Sequence, residues 1–429
     1  MVLSINAFSI FNSMNYIKKS ESITVKDSRL MASSNPLTLI WNRTWTDYHG
    51  AEGISMGLDS LNNSYITGYG GSAGNSFEVC LVKYNSSGQI QWDRTWGNSN
   101  QDTGHAILIN STNDIYIAGI TQRFLGDMDA FLLKYNSTGD LQWQDVWGGS
   151  GEDYCYGMAI DKNNNIFLAG VTNSWIASGS AMFLLKYNTS GVLEWNRTWG
   201  GGSNDGALGI VVDSSDNIYL GGLKGPDICL VKFDNSGVWQ WNRSWNTIGG
   251  KWCSGITIDS SDDIYLAGEG FVSGGTEYQF CLLKYNKFGV LQWSNTWEIP
   301  VAGITIQKLI NGISLDSSNN IYLAKRTIDD DMEIEKFDSS GNKKWDYVFG
   351  GTGTDSCNGI VIDTKNDIYI VGTLDNEAYV AKFSENPPGS SELGIPGYNQ
   401  WMLICVLSIV ASVIAFSMSL KIKLFKKIT

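Results

Sequence analysis

The 429-residue chain is short of much that enzymes and helical proteins are built from. It has six prolines and two histidines, His49 and His105. Two imidazoles do not make a three-histidine metal site, and no carboxylates stand beside them at metal spacing. Neither a phosphate loop nor a His-Glu-x-x-His helix is present, so nucleotide and zincin chemistry lack their usual handles. Positive charge is in deficit: the formal net charge is −13, although the last nine residues hold four lysines and no acid. A surface of that sign repels phosphate backbones, which excludes nucleic acid as an expected partner. The seven cysteines show no metal-ligand spacing. The N-terminus lacks early basic residues followed by an unbroken apolar run: Ser4, Asn6 and Ser9 interrupt it, and Lys18 and Lys19 come too late. It reads poorly as a secretory signal.

What is plentiful is glycine (48) and aromatic residues (17 Trp, 19 Tyr), the composition of short strands joined by tight turns. A Trp-x-Arg-Thr-Trp segment recurs with its first tryptophan at 41, 92, 143, 195, 241, 293 and 345. Asp145 and Asn295 replace the arginine in two copies, and Phe349 replaces the last Trp in another. Three more segments follow in fixed order. A Gly-x-x-x-Asp type closes on Asp59, Asn110, Asp161, Asp213, Asp259, Asp316 and Asp363. A Tyr-Leu-Ala-Gly type begins at Tyr65, Tyr116, Phe167, Tyr219, Tyr265, Tyr322 and Tyr369. A Leu-Leu-Lys-Tyr type places lysine at 83, 134, 186, 232, 284, 336 and 382.

Each segment has the length and two-residue period of a strand. Asp213-Ser-Ser-Asp-Asn217 and Asn85-Ser-Ser-Gly88 are turns, because Asp and Asn side chains bond nearby backbone amides. Four short antiparallel strands per repeat of about fifty residues match a propeller blade. The expected fold is therefore all-β: a seven-bladed β-propeller of four-stranded antiparallel blades over residues 37–383. A Trp strand stands alone at 37–45, and the last copy ends without one. The N-terminal strand then supplies the outer strand of blade 7 and leaves no free edge.

With these residues in view, the pattern resembles the beta-propeller repeat family of prokaryotic surface proteins. The Gly-x-x-x-Asp and Tyr-Leu-Ala-Gly order is also similar to NHL-type propellers, and Leu141-Gln-Trp143 after a glycine turn resembles the tryptophan docking strand of quinoprotein-type propellers. The resemblance implies the fold; it implies no particular ligand.

Residues 401–420 are twenty residues without a charge, about 30 Å of helix and enough to cross a hydrocarbon core. Four lysines follow, which predicts a single-pass helix with residues 421–429 in the cytoplasm and the propeller outside. Insertion as a tail anchor, with the propeller in the cytoplasm, is the alternative. Residues 384–400 read as a flexible stalk and residues 1–36 as a poorly ordered leader. The Ile395-Pro-Gly-Tyr398 stretch, apolar span and basic end also resemble prokaryotic C-terminal sorting signals. Eight glycosylation sequons, at Asn42, Asn62, Asn85, Asn110, Asn136, Asn188, Asn196 and Asn242, are about what this composition produces by chance.

The periodic residues read as structural, since an active site is one place and not seven. Arg43, Arg94, Arg197 and Arg243 lie between two tryptophans on a strand face, which predicts cation–π packing. Cys80, Cys229 and Cys281 precede the third-segment lysine, and Cys155, Cys253 and Cys357 stand two before a repeated glycine; buried thiols without disulfides are expected. Asp161-Lys-Asn163-Asn-Asn165 has too few carboxylates for a calcium loop and reads as a turn. No catalytic residue, metal or cofactor is assigned.

In such a blade the second-to-third and outer-to-next-inner connections emerge on one face, and here those are the variable ones. Variable loops on a rigid scaffold are the usual seat of function. That face carries Phe124, Asp127, Asp129, Trp175, Trp252, Phe271, Tyr278, Asp329, Asp330 and Asp331. Exposed aromatics suit sugar rings or protein hot spots. The expected function is a non-catalytic recognition or adhesion scaffold with a glycan or protein ligand; the alternative is a quinoprotein-like or glycan-processing enzyme.

Overall fold

Every repeated segment becomes one strand. In the computed structural model of the chain, residues 36–385 are described apart from 46–48, 73–75, 98–100, 123–125, 203, 246–251, 272–276 and 301–308. Among these residues 28 strands form seven four-stranded antiparallel sheets. Blade 3 shows the order: inner strand Asp153–Ile160, second Ile166–Thr172, third Ala181–Tyr187 and outer Leu193–Gly200. The expected seven-bladed ring is the fold found.

The two middle strands of each blade are apolar on both faces because both are covered. Phe167, Ala169, Met182 and Leu184 of blade 3, for example, share one cluster with Ile218, Leu220 and Cys229 of blade 4. The core is thus a series of layers between neighbouring blades. Six described cysteines sit in these layers as buried free thiols, and burial pushes the Cys155 thiol up to about 12. A thiolate-dependent reagent such as Ellman's should therefore leave all six untouched in the folded protein and modify them only after denaturation. Rapid labelling of Cys155 or Cys357 under native conditions would contradict this packing.

One face of the ring, hereafter the turn face, carries the inner-to-second and third-to-outer connections. In blade 4, Asp213 Oδ1 accepts from the amides of Ser215 and Asn217, while Asp216 takes the left-handed conformation at φ 63°. Asp213 Oδ2 accepts from the Tyr219 hydroxyl at 3.0 Å and faces Lys232 Nζ at 3.8 Å. The third-strand lysine also lies over the second-strand ring, at 4.8–5.6 Å in all seven blades. These contacts absorb the periodic Asp, Tyr and Lys. Asp161 follows the same rule, accepting from the amides of Asn163 and Asn165.

Blades are joined by their outer strands. Gly237, at φ +74° in the turn of blade 4, would place a Cβ 3.0 Å from the Trp195 ring of blade 3. Only glycine supplies both the positive φ and the room. Arg197 stacks on Trp195 at 4.9 Å and donates through Nε to the Gly237 carbonyl at 3.0 Å. Arg94 and Arg243 repeat the arrangement on Trp92 and Trp241. Asn295, standing where arginine is lost, donates to Gly341 O at 2.7 Å and keeps the hydrogen bond. At Arg94, Arg197 and Arg243 the expected cation–π packing therefore comes with an interblade hydrogen bond that the repeat alone does not reveal.

Closure follows the predicted route. Leu37–Trp45 pairs with Glu377–Glu385, giving blade 7 its fourth strand. Ser384 and Glu385, expected in the stalk, belong to that strand. The Glu385 carboxylate accepts from Lys336 at 2.6 Å, Trp345 Nε1 at 3.0 Å and the Tyr322 hydroxyl at 3.2 Å, which holds the strand end to the turn face of blade 6. The expected leader (1–35), the rest of the stalk (386–400), the apolar segment (401–420) and the basic tail (421–429) lie outside the described residues. Among the described residues no helix is long and apolar enough to cross a membrane.

Candidate functional site on the loop face

The opposite face, the loop face, is organised by buried aspartates at the start of inner strands. Asp153 Oδ2 accepts from the Gly149 amide and the Ser174 hydroxyl, each at 2.8 Å. Asp205 accepts from the amides of Gly201 and Gly202 at 3.1 Å and of Gly225 at 2.9 Å. Asp355 accepts from the amides of Gly351 and Asp375. Each carboxylate therefore ties the connection entering its blade to the second-to-third connection of the same blade. Burial, with the charges of Asp375 and Asp331 nearby, pushes the Asp355 carboxyl above the usual carboxylate range. The sequence signal was available: Gly148-Gly-Ser-Gly-Glu-Asp153, Gly200-Gly-Gly-Ser-Asn-Asp205 and Gly350-Gly-Thr-Gly-Thr-Asp355 are one motif. The outer-to-next-inner connection, expected to be variable, is in these blades a repeat element.

Variation is greatest in the second-to-third connections. Blades 4 and 7 have short hairpins, closed by Gly225-Pro226 and Asp375-Asn376, whereas blade 3 spends residues 173–180 on the same crossing. Gly70-Gly-Ser72-Ala-Gly74 has the spacing of a hydrolase nucleophile elbow. Ser72 ends a strand paired directly with the next one, however, not a strand-to-helix turn.

The candidate residues separate on this frame. Trp175 is 67% exposed and Trp252, at the start of the blade 5 inner strand, is 43% exposed. Tyr278 and Asp129 are not surface residues: both are fully buried in third strands, where Tyr278 packs on Phe280 at 5.6 Å and Asp129 lies against Gly148. Their place beside a variable loop suggested exposure, but the strands begin earlier than the loops end. Asp127 is half-buried in its loop, and Asp329 is exposed. Asp330, at φ 63°, and Asp331 form a tight turn on Thr327, with the Asp331 amide donating to Thr327 Oγ1 at 3.0 Å. Phe124 and the Phe271 side chain lie outside what is described.

A second set of aromatics escaped the sequence reading because its positions sit inside a repeated strand. Tyr154 and Tyr156, on the inner strand of blade 3, stack at 6.2 Å, and Tyr156 stacks on His105 of blade 2 at 5.3 Å, nearly parallel. The Tyr154 hydroxyl donates to the exposed carboxylate of Glu152. His105 Nδ1 lies 3.1 Å from Cys155 O, so that nitrogen carries the proton and the imidazole clips two inner strands together. Asn311 to Cys357 O and Asn358 to Gly53 O are equivalent clips. In the neighbouring blade 1, the Tyr69 hydroxyl donates to Glu52 at 2.6 Å. Among the described residues no group of three or more His, Cys, Asp or Glu is disposed to hold a metal ion.

Comparison with known proteins agrees with this anatomy. Residues 146–174 match the family model described as beta-propeller repeat. They run from the end of one outer strand, through the Gly-Gly-Ser-Gly-Glu-Asp connection and two strands, to Ser174. The regulatory protein FlaEY of Caulobacter vibrioides is 25% identical over 167 residues, covering 33% of this chain. The matched part spans only 18% of that relative's own length. Among solved structures, a glucose dehydrogenase aligns with 82% of this chain and 99% of its own at 8% identity, with a TM-score of 0.43. One segment of the chain thus matches a beta-propeller repeat, and the chain folds as a seven-bladed β-propeller.

Proposed function

We infer that the protein is a membrane-anchored surface scaffold that recognises its ligand through the loop face without catalysing a reaction. The observation that carries this reading is the division of labour between the two faces. On the turn face the repeated Asp, Tyr and Lys side chains are committed to one another. On the loop face Trp175 and Trp252 are presented to solvent, Trp175 beside the buried Asp153 that fixes its loop. The uncharged stretch at 401–420 and the four lysines after it support the anchor.

Protease added to intact cells should release a soluble fragment containing the whole ring, cut between residues 386 and 400, where Pro387, Pro388 and Gly389 lie. Mass spectrometry of the supernatant reads the result. Complete protection until the cells are lysed would reverse the topology and favour tail anchoring.

A further inference from the structure

We propose that the loop face of blade 3 binds a neutral saccharide, with the indole of Trp175 as the stacking platform and the Glu152 carboxylate as a hydroxyl acceptor. This deepens, and rests on, the reading of the loop face as the recognition surface.

Trp175 has no folding reason to be where it is. Its backbone is left-handed, at φ +59°, which a bulky L-residue adopts only at a cost. Its side chain is 67% exposed, so burial does not offset that cost. Nor does the ring need the loop: blades 4 and 7 make the same crossing with short hairpins. Strain and exposure together at one aromatic residue point to use.

The indole is also held still. Ser174, immediately before it, donates to Asp153 at 2.8 Å and accepts from the Gly151 amide at 3.0 Å. One side of the ring leans on Trp147 at 5.2 Å, and Trp147 in turn packs on Phe183 at 4.8 Å. Gly149 lies under its edge, where a Cβ would come within 2.9 Å of the indole. A ring fixed from behind and open in front loses little freedom on binding.

The surroundings select the ligand class. Ser150, Glu152, Asn173, Ala177, Ser178 and Gly179 are exposed around the platform, and Asn173 is tied to the Glu152 carbonyl at 2.9 Å. An apolar protein hot spot requires a desolvated pocket walled by further apolar groups, which this polar rim does not supply. A cation cage requires several rings around one point, whereas Trp147 is tilted against one side of Trp175 and committed to Phe183. A hexose has one C–H face to lay on a flat indole and hydroxyls at its edge for a carboxylate and an amide.

The test uses full-length protein in detergent against an array of neutral gluco-, manno- and galacto-oligosaccharides, followed by calorimetry on the best binder. Binding of at least one such oligosaccharide is expected. Trp175→Ala should weaken it by about tenfold or more, and Glu152→Gln severalfold. Trp175→Gly should abolish binding while leaving the melting temperature unchanged or raised, because glycine accepts φ +59° freely. A strut whose role was merely structural would lower it. Trp239→Ala, at an exposed tryptophan at the turn-face end of a strand, should bind as the parent does. The proposal is overturned if no neutral oligosaccharide binds, if only quaternary-ammonium ligands bind, or if Trp175→Ala binds normally. Protein binding that maps to Trp252 or Asp329 in the absence of sugar binding would overturn it too, yet leave the recognition reading intact. Sugar binding through Trp175 in a protease-protected propeller would do the reverse.

Discussion

Removing residues 1–46 should abolish cooperative unfolding of the entire ring. The strand at Leu37–Trp45 differs from the other outer strands in being well buried: Leu37, Trp41 and Trp45 are 1%, 8% and 5% exposed. At about 1.5–3 kcal/mol for each large apolar side chain, those three residues alone contribute roughly 4.5–9 kcal/mol. That is comparable with the whole stability of an ordinary domain, about 5–15 kcal/mol. The same strand joins blade 7 to blade 1, since Gly88 of the blade 1 turn sits on the Trp41 ring and Trp41 Nε1 donates to Ser86 O at 3.2 Å. Its loss leaves the Glu377–Glu385 edge unpaired, an invitation to aggregation. Urea denaturation of a chain beginning at Asp47, compared with one beginning at Ser33, measures the effect. Addition of a peptide spanning residues 37–45 should restore the transition by supplying the strand in trans. Equal midpoints for the two chains would refute closure by this strand.

The second large effect concerns blade 6, where the repeat is broken by charge. Lys325 stands where the six sister blades have glycine (68, 119, 170, 222, 268 and 372). In most of those blades a Cβ would meet an inner-strand carbonyl oxygen at 2.0 Å or less. In blade 6 Lys325 is paired with Ile310, the first residue of the inner strand. Lys325 is 4% exposed, 3.2 Å from Glu333 and 3.0 Å from Glu335, and lies over the Phe280 ring at 4.4 Å. Glu335 is also held by Lys343 at 2.8 Å. Lys325→Met should cost about 3–5 kcal/mol, because it takes the cation from Glu333 and leaves Glu335 with Lys343 alone in the interface between blades 5 and 6. Replacing the set together, Lys325→Met with Glu333→Leu and Glu335→Leu, should be neutral or stabilising by about 1–4 kcal/mol. Chemical denaturation of the two variants decides between an electrostatic and a purely steric role. Were the triple variant as unstable as the single one, shape and not charge would be the cause.

The pH dependence of Lys325→Met carries a sign. Burial already pushes the Glu333 carboxyl above its ordinary range, and the cation opposes that shift. Without the cation the folded state binds the proton more tightly still, whereas the unfolded state titrates near the usual glutamate value of about 4.3. Stability therefore returns to the variant as pH falls through the raised folded value, and the deficit relative to the parent should shrink on acidification.

How much of this was legible beforehand follows from where the information is stored. Strand identity, strand order and closure are local or counting properties: seven copies of four segments, one orphan Trp strand and one copy lacking it leave a single economical arrangement. The turn residues were legible for the same reason, since Asp213 and Asn85 bond amides two and four residues away. The candidate site was legible only in part. Trp175 stood out because nothing matches it in the sister repeats, and the exposed indole agrees. Tyr278 and Asp129 were drawn from the same loops but turn inward. The ends of their strands, which decide exposure, depend on pairing with Phe271 and Thr121 across the blade.

What the sequence determined by itself was the repeating part: an all-β ring whose periodic Asp, Tyr, Lys, Trp and Arg are structural. What only the tertiary structure decided were contacts between residues far apart in the chain. Arg197 reaches the Gly237 carbonyl forty residues away, His105 reaches Cys155 O in the next blade, and Trp147 supports Trp175. A periodic sequence repeats its local rules in every copy. Side chains that depart from the period acquire their neighbours only when the ring closes and sets unlike blades against one another.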